Sequence, residues 1–286
     1  MKRFQLVAVA LLGAAVAALP QAAAANVDCH PEVDENRPQF IVGYGSLMEE
    51  ASKRRSAPNS GANHPAHVTG FQRAWNTQGN KIGFSTTYLG VDAPRATELE
   101  RRVADSSDVP EMVAAVYQNL DPSGMTSVDK REAYYCRYPV RLDQVTLLDG
   151  WRLPEDAQIW IYALKPDDLG NPATERWPIV QSYVDIFITG CLNLGKRVTM
   201  PMGPNGAAKA EATEAVEAPS LEEVDARSKQ FARACIQTTK GWSGYWVNDR
   251  IYPRRAFIYQ PNASKIDQIL HDTVPTSELF SFIRIE

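Results

Sequence analysis

The sequence predicts an α+β fold: a mixed, partly closed β-sheet or small barrel with surrounding helices. Three observations point there. Short β-type and helix-type runs mix locally without the strict βαβ rhythm of a doubly wound sheet. Neither G-x-G-x-x-G nor G-x-x-x-x-G-K-[ST] occurs, which removes the sequence case for a nucleotide cofactor. The 286 residues are 44% apolar and 22% charged, enough to bury a core, which excludes disordered, collagen-like and disulfide-dense miniprotein chains.

The first segment is a targeting signal by its order of residues. Lys2 and Arg3 precede an apolar run from Leu6 to Leu19, followed by Pro20 and the alanines at 22–25. The run is shorter than the roughly 20 apolar residues that cross a bilayer. Residues 1–25 are therefore expected to be a cleaved signal peptide. Residues 26–286 are expected to form one exported domain, periplasmic or extracellular, without a membrane segment.

Thirty basic and 34 acidic side chains give a net charge of −4, and loss of Lys2 and Arg3 takes it to about −6. Such a surface has no general affinity for nucleic acid. Cys29, Cys136, Cys191 and Cys235 remain, and an oxidising compartment would allow one or two disulfides among three connectivities. Cys191 and Cys235, both in helix-type segments, are the preferred pair. No Cys or His spacing resembles a metal site; Pro65 between His64 and His67 argues against a helical metal pair.

The elements follow in order. Gln39–Tyr44 (QFIVGY) is β-rich and meets Gly45, after which Leu47 to Arg55 is helix-tolerant: strand, glycine turn, short helix. His67–Asn76 and Lys81–Leu89 read as strands about a turn at 77–80. The charged residues 94–110 would cover the sheet. Met112–Leu120, Tyr138–Leu148 and Gln158–Leu164 read as strands, and Ser123–Tyr135 as a helix. Pro178–Leu194 is a helix with Val180, Tyr183, Val184 and Phe187 on one side. The Ala/Glu-rich stretch near 203–220 is expected to be a mobile insertion. Leu221–Ile236 is a helix, Gly241–Arg255 a turn-rich aromatic segment, Ala256–Tyr259 a strand and Lys265–His271 a closing helix.

Two features stand out chemically. Asp121 and Pro122 can begin a helix, whose apolar face carries Met125, Val128 and Tyr135. Glu132 falls on that face, while Lys130 and Arg131 point elsewhere. A carboxylate in apolar surroundings becomes a proton-transfer group unless a cation or several donors compensate it; the other readings are a structural ion pair with a distant Arg and a helix shifted enough to expose the residue. The second feature is Tyr44-Gly45-Ser46-Leu47. A strand entering a helix through Gly and Ser leaves backbone N–H groups outward, a seat for a small carboxylate. Ser46 and Glu49 also match a capping box, which needs no ligand.

These residues resemble the γ-glutamylcyclotransferase-like proteins. FIVGYGSLM (Phe40 to Met48) is similar to the family's first strand and its Tyr-Gly-Ser turn. PAHVTGFQRAWN (Pro65 to Asn76) and TTYLGV (Thr86 to Val91) look like the next strands. VDKREAYYCRYPVRL (Val128 to Leu142) resembles the segment in which Leu-Asp-x-x-Glu carries an acid/base Glu, and GWSGYWVNDRIYPRR (Gly241 to Arg255) a Trp- and Arg-containing tail. Val128 replaces the commoner Leu, and Met48 an Asn or Ile; both bear on substrate choice more than on chemistry.

The resemblance implies that Glu132 is the general acid/base and that Tyr44, Gly45, Ser46 and Leu47 hold the α-carboxylate of a γ-glutamyl group. Tyr162 would line the pocket, although an inward strand tyrosine is also an ordinary core residue. The implied reaction is cyclisation to 5-oxoproline with release of an amine or amino acid, of lyase or acyltransferase type, with no cofactor, metal or covalent intermediate. The partner would be a small γ-glutamyl molecule, with glutathione, a γ-glutamyl dipeptide and a γ-glutamyl amine all open. Two alternatives stand beside it: a non-catalytic exported module that binds γ-glutamyl or acyl groups, and a related amidohydrolase.

Overall fold

The computed structural model describes residues 28–79, 85–92, 109–165, 168, 170–203, 206–207, 219–253, 262–274 and 284–285. The expected signal peptide, most of the charged stretch at 94–110, most of the insertion near 203–220, and the strand at 256–259 lie outside them.

The core strands are β1 (Gln39–Gly43), β2 (His64–Thr69), β5 (Glu111–Gln118), β6 (Cys136–Val140), β7 (Val145–Leu147) and β8 (Gln158–Ala163). They form one mixed sheet in the order β6-β8-β1-β5-β2-β7. β1 is central, antiparallel to β5 and parallel to β8. Its five residues are all buried, which is why it reads as a near-continuous apolar run. Alternation sends Phe40 and Val42 into the main core and Ile41 into a smaller cluster with Tyr117, Val128 and Tyr162.

A second sheet is built from β3 (Gln72–Gly79), β4 (Thr86–Asp92) and β10 (Thr239–Lys240). The Leu164 N–H donates to the Val91 carbonyl at 2.9 Å, joining the two sheets at one corner. The fold is thus α+β with a partly closed arrangement; the small-barrel version is not formed among the described residues, where β6 and β7 remain edges. The cause lies in the run His67–Asn76, expected as one strand. The chain turns at Gly70 (φ 88°), so β2 stays in the first sheet and β3 enters the second. Tyr138–Leu148 likewise divides, because Leu142–Gln144 forms a 3-10 turn held by the Gln144 side chain.

Among the described residues five helices cover the sheets: α1 (Glu50–Ser56), α2 (Thr126–Arg131), α3 (Gln181–Gly195), α4 (Leu221–Gln237) and α5 (Ala263–Thr273). α3 is nearly all buried and follows the short strand β9 (Ile179–Val180), which pairs with β11 (Trp246–Asn248); β11 also pairs with β12 (Arg284–Ile285). The preferred disulfide, Cys191–Cys235, is formed and joins α3 to α4. Cys29–Cys136 ties the segment before β1 to β6. At Gly190 a Cβ would lie 2.6 Å from the Met48 carbonyl carbon, so only glycine lets α3 rest directly on the 46–48 turn. No described helix is long and apolar enough to cross a membrane.

Candidate active site

A cavity of about 310 Å³ opens where the two apolar clusters meet. One wall is the loop Tyr44, Gly45, Ser46 and Leu47. Ser52, Arg55 and Ser56 of α1 adjoin it. Arg131, Glu132 and Tyr135 line the cavity as well, together with Tyr88, Tyr162 and Tyr183. The cavity therefore brings together all the residues singled out from sequence, with Tyr162 among them.

The loop is built for its backbone. Gly45 leads into a 3-10 turn, Ser46–Met48, and its own carbonyl accepts from Met48 N–H at 3.0 Å. Asn63 Nδ2 donates to the Leu47 and Met48 carbonyls, both at 3.0 Å, and Arg73 Nη1 donates to the Tyr44 carbonyl at 3.2 Å. No acceptor among the described residues takes the N–H groups of Gly45, Ser46 or Leu47. In a planar trans peptide the N–H points opposite the C=O, so holding the Tyr44 carbonyl on Arg73 and the Gly45 carbonyl on the Met48 N–H turns the Gly45 and Ser46 amides the other way, while Asn63 fixes the end of the turn. A Cβ on Gly45 would lie 2.7 Å from the Tyr183 hydroxyl, which is why glycine occupies this wall.

The capping box of Ser46 and Glu49 is not formed. α1 starts after Glu49, whose carboxylate itself accepts from the Ala51 and Ser52 amides at 3.1 and 2.5 Å. Ser46 is thereby left to the cavity wall.

α2 is shorter than the Ser123–Tyr135 helix expected. Asp121 accepts from the Ser123 N–H and hydroxyl in a turn instead of capping the helix, and the helix ends at Arg131. Glu132 is its C-cap, with N–H donating to the Val128 carbonyl and C=O accepting from Tyr135 N–H. Its side chain is only 12% exposed and faces the cavity beside buried Val128 and Tyr135. The expectation that Arg131 points elsewhere is corrected. Past the last helical residue, successive side chains no longer diverge by the helical angle, so Arg131 and Glu132 share one wall. Arg131 Nε lies 3.2 Å from Glu132 Oε1, which supplies the compensating cation that spacing alone left open. Arg131 Nη1 is buried and has no hydrogen-bond partner among the described residues.

Two of the tyrosines, Tyr44 and Tyr162, are fixed as donors. The Tyr44 hydroxyl donates to the Tyr162 carbonyl at 2.6 Å, and the Tyr162 hydroxyl to Asp129 Oδ1 at 2.6 Å. Asp129 in turn pairs with Arg137 at 3.2 Å. Burial pushes the phenols of Tyr44, Tyr135 and Tyr162 well above their ordinary value, and for Tyr162 the Asp129 carboxylate adds to it. All three remain neutral at physiological pH.

The Gly241–Arg255 segment stands behind the cavity. Asp249 caps α3, accepting from the Ser182 N–H and hydroxyl at 2.7 Å each, and Arg250 forks onto Asp185 and Asp267. Trp242 stacks on Trp246 and meets Trp75, which packs edge-on against Tyr183 of the wall. Arg254 and Arg255 lie outside the described residues.

No family model and no curated protein matches the sequence. Solved structures do. One described as a γ-glutamyl cyclotransferase shares 13% identity over 68% of this chain and 99% of its own, with a TM-score of 0.40. An uncharacterized human protein gives 14% identity, 68% and 99% coverage and a TM-score of 0.40. A yeast γ-glutamyl cyclotransferase specific to glutathione gives 13%, 70%, 97% and 0.33. At these identities and TM-scores, any reading of the chemistry rests on the cavity itself.

Proposed function

We propose that this chain cyclises a γ-glutamyl group to 5-oxoproline and releases an amine or amino acid, with Glu132 as general acid/base. The observation that carries the proposal is a single cavity lined at once by Glu132 and by the unoccupied amides of Gly45, Ser46 and Leu47. Its volume, about 310 Å³, suits one small molecule.

The substrate carries its own nucleophile. With the α-carboxylate on the loop amides, the α-amine folds back onto the γ-carbonyl carbon; a new C–N bond closes the five-membered ring as the original amide C–N bond breaks. Glu132 takes the proton lost by the attacking amine and returns it to the departing nitrogen. Holding the reacting atoms together can lower the barrier by about 7–11 kcal/mol, and a positioned acid/base group contributes roughly 10²–10⁴ in rate.

Two disulfides favour work in an oxidising compartment, in keeping with export. A second reading, a binding module without turnover, is favoured by one observation: Glu132 already has Arg131 as a partner. Wild type and Glu132→Gln are to be compared on a panel of glutathione, γ-glutamylalanine and γ-glutamylbutylamine. Release of 5-oxoproline by the wild type and not by the variant supports catalysis. Saturable binding by calorimetry with no product from any compound supports the module.

A further inference from the structure

Arg73, on β3, is a buried cation that the mechanism above does not use. Its side chain is wholly inaccessible, and no carboxylate pairs with it among the described residues. Nε donates to Thr239 Oγ1 at 2.7 Å. Nη1 donates to the carbonyls of Val113 at 2.8 Å and Tyr44 at 3.2 Å, and Nη2 to the Cys235 carbonyl at 2.6 Å and Thr238 Oγ1 at 3.1 Å. The guanidinium lies over the Phe187 ring, 4.6 Å from its centroid. Every partner is neutral, so a full positive charge is kept in a low-dielectric site, an arrangement that is costly unless an anion comes near.

The one such partner that belongs to the cavity wall is the Tyr44 carbonyl. Tyr44 C=O and Gly45 N–H share a peptide plane and point in opposite directions. A guanidinium pulling the oxygen inward therefore turns the Gly45 N–H outward, to the side where Gly45 lines the cavity. Thr239 and Thr238 fix the fork, so that Nη1 meets the Tyr44 carbonyl rather than swinging free.

We infer that Arg73 is a positioning residue for a carboxylate bound at the Tyr44–Leu47 loop: it aims the Gly45 N–H and places an uncompensated charge behind it. The inference rests on the γ-glutamyl reading, which supplies the α-carboxylate. Lysine at this position keeps the charge but not the planar fork; methionine keeps neither.

The test uses the panel compound that wild type turns over fastest and its counterpart in which the glutamyl α-carboxylate is a carboxamide. KM and kcat are measured for both on wild type, Arg73→Lys, Arg73→Met and Thr239→Val. For the carboxylate substrate, Arg73→Lys is expected to raise KM about tenfold and Arg73→Met more, with kcat nearly unchanged. The carboxamide should shift by less than about twofold. Should the Arg73 variants fail to fold, Thr239→Val, which removes the Nε acceptor and the hydroxyl's own bond to the Cys235 carbonyl while leaving the guanidinium in place, should show the same selective rise to a smaller extent. Equal changes for both substrates, or none for either, in an active enzyme would overturn the inference and leave the cyclisation reading intact. No turnover of any panel compound by wild type would overturn both.

Discussion

Glu132 and Arg131 sit side by side at the end of α2, with Arg131 Nε 3.2 Å from Glu132 Oε1, and both line the cavity. Glu132 declared itself because it shares helical spacing with Val128 and Tyr135, and the cavity lies on that face. Arg131 escaped because its direction depends on where α2 stops, which spacing does not mark; the late start of the helix, by contrast, follows the turn sequence Asp121-Pro122-Ser123-Gly124. Arg73 left a trace that period-2 reading can recover: it alternates with Phe71 and Trp75, both buried, and so falls on the inward face of β3. Gly45 offers the sharpest residue-scale prediction. Gly45→Ala pushes a methyl to within 2.7 Å of the Tyr183 hydroxyl. The expected result is a loss of about 1–3 kcal/mol of stability, read by denaturant unfolding, with a higher KM for γ-glutamyl substrate. Unchanged kinetics would mean that Tyr183 does not fix this wall.

At the scale of elements, the site depends on α3 lying flat on the 46–48 turn and on α4 holding α3 in place. The Cys191–Cys235 bond joins those two helices across a sequence separation of 44. Its replacement by two serines should lower stability by about 2–4 kcal/mol, measured by chemical unfolding, and should loosen the cavity because α3 also carries Tyr183. The helices and the strands β1, β5 and β8 were legible from periodicity, and so was this cysteine pair. The two-sheet division was not: residues 67–76 have continuous β character, and the turn at Gly70 assigns their halves to different sheets through long-range pairing with β5, β4 and β10. The tail is similar. Its tryptophans and acids are conspicuous in sequence, yet its work is to cap α3 and back the aromatic wall.

Across the whole molecule, acid should act on the fold before it acts on the aromatic lining. Burial alone would raise the Glu50 carboxyl, but the Asn63 N–H and Lys53 outweigh it and hold it below its ordinary 4.5. Burial alone would likewise raise the Asp149 carboxyl, but His64, the Trp151 N–H and Arg197 outweigh it and hold it below its ordinary 3.8. A carboxylate depressed in the folded state contributes stability above its unfolded pKa and loses it as pH falls through the folded one. Melting temperature should therefore hold down to about pH 5 and fall below about pH 4, with a shallower fall in Glu50→Gln. Because Glu50 anchors Asn63, and Asn63 grips the Leu47 and Met48 carbonyls, the same acid range should weaken ligand binding. A fall of the same slope in Glu50→Gln would remove Glu50 from this account. The central claim, a loop of free amides facing one carboxyl group across a small cavity, meets its most direct test in the product itself. Mass spectrometry of a reaction with the wild-type protein should find 5-oxoproline in equal amount to the released amine. Glu132→Gln should bind the same substrate but form product at least about 100-fold more slowly. Free glutamate as the product, or undiminished 5-oxoproline from the variant, would contradict it.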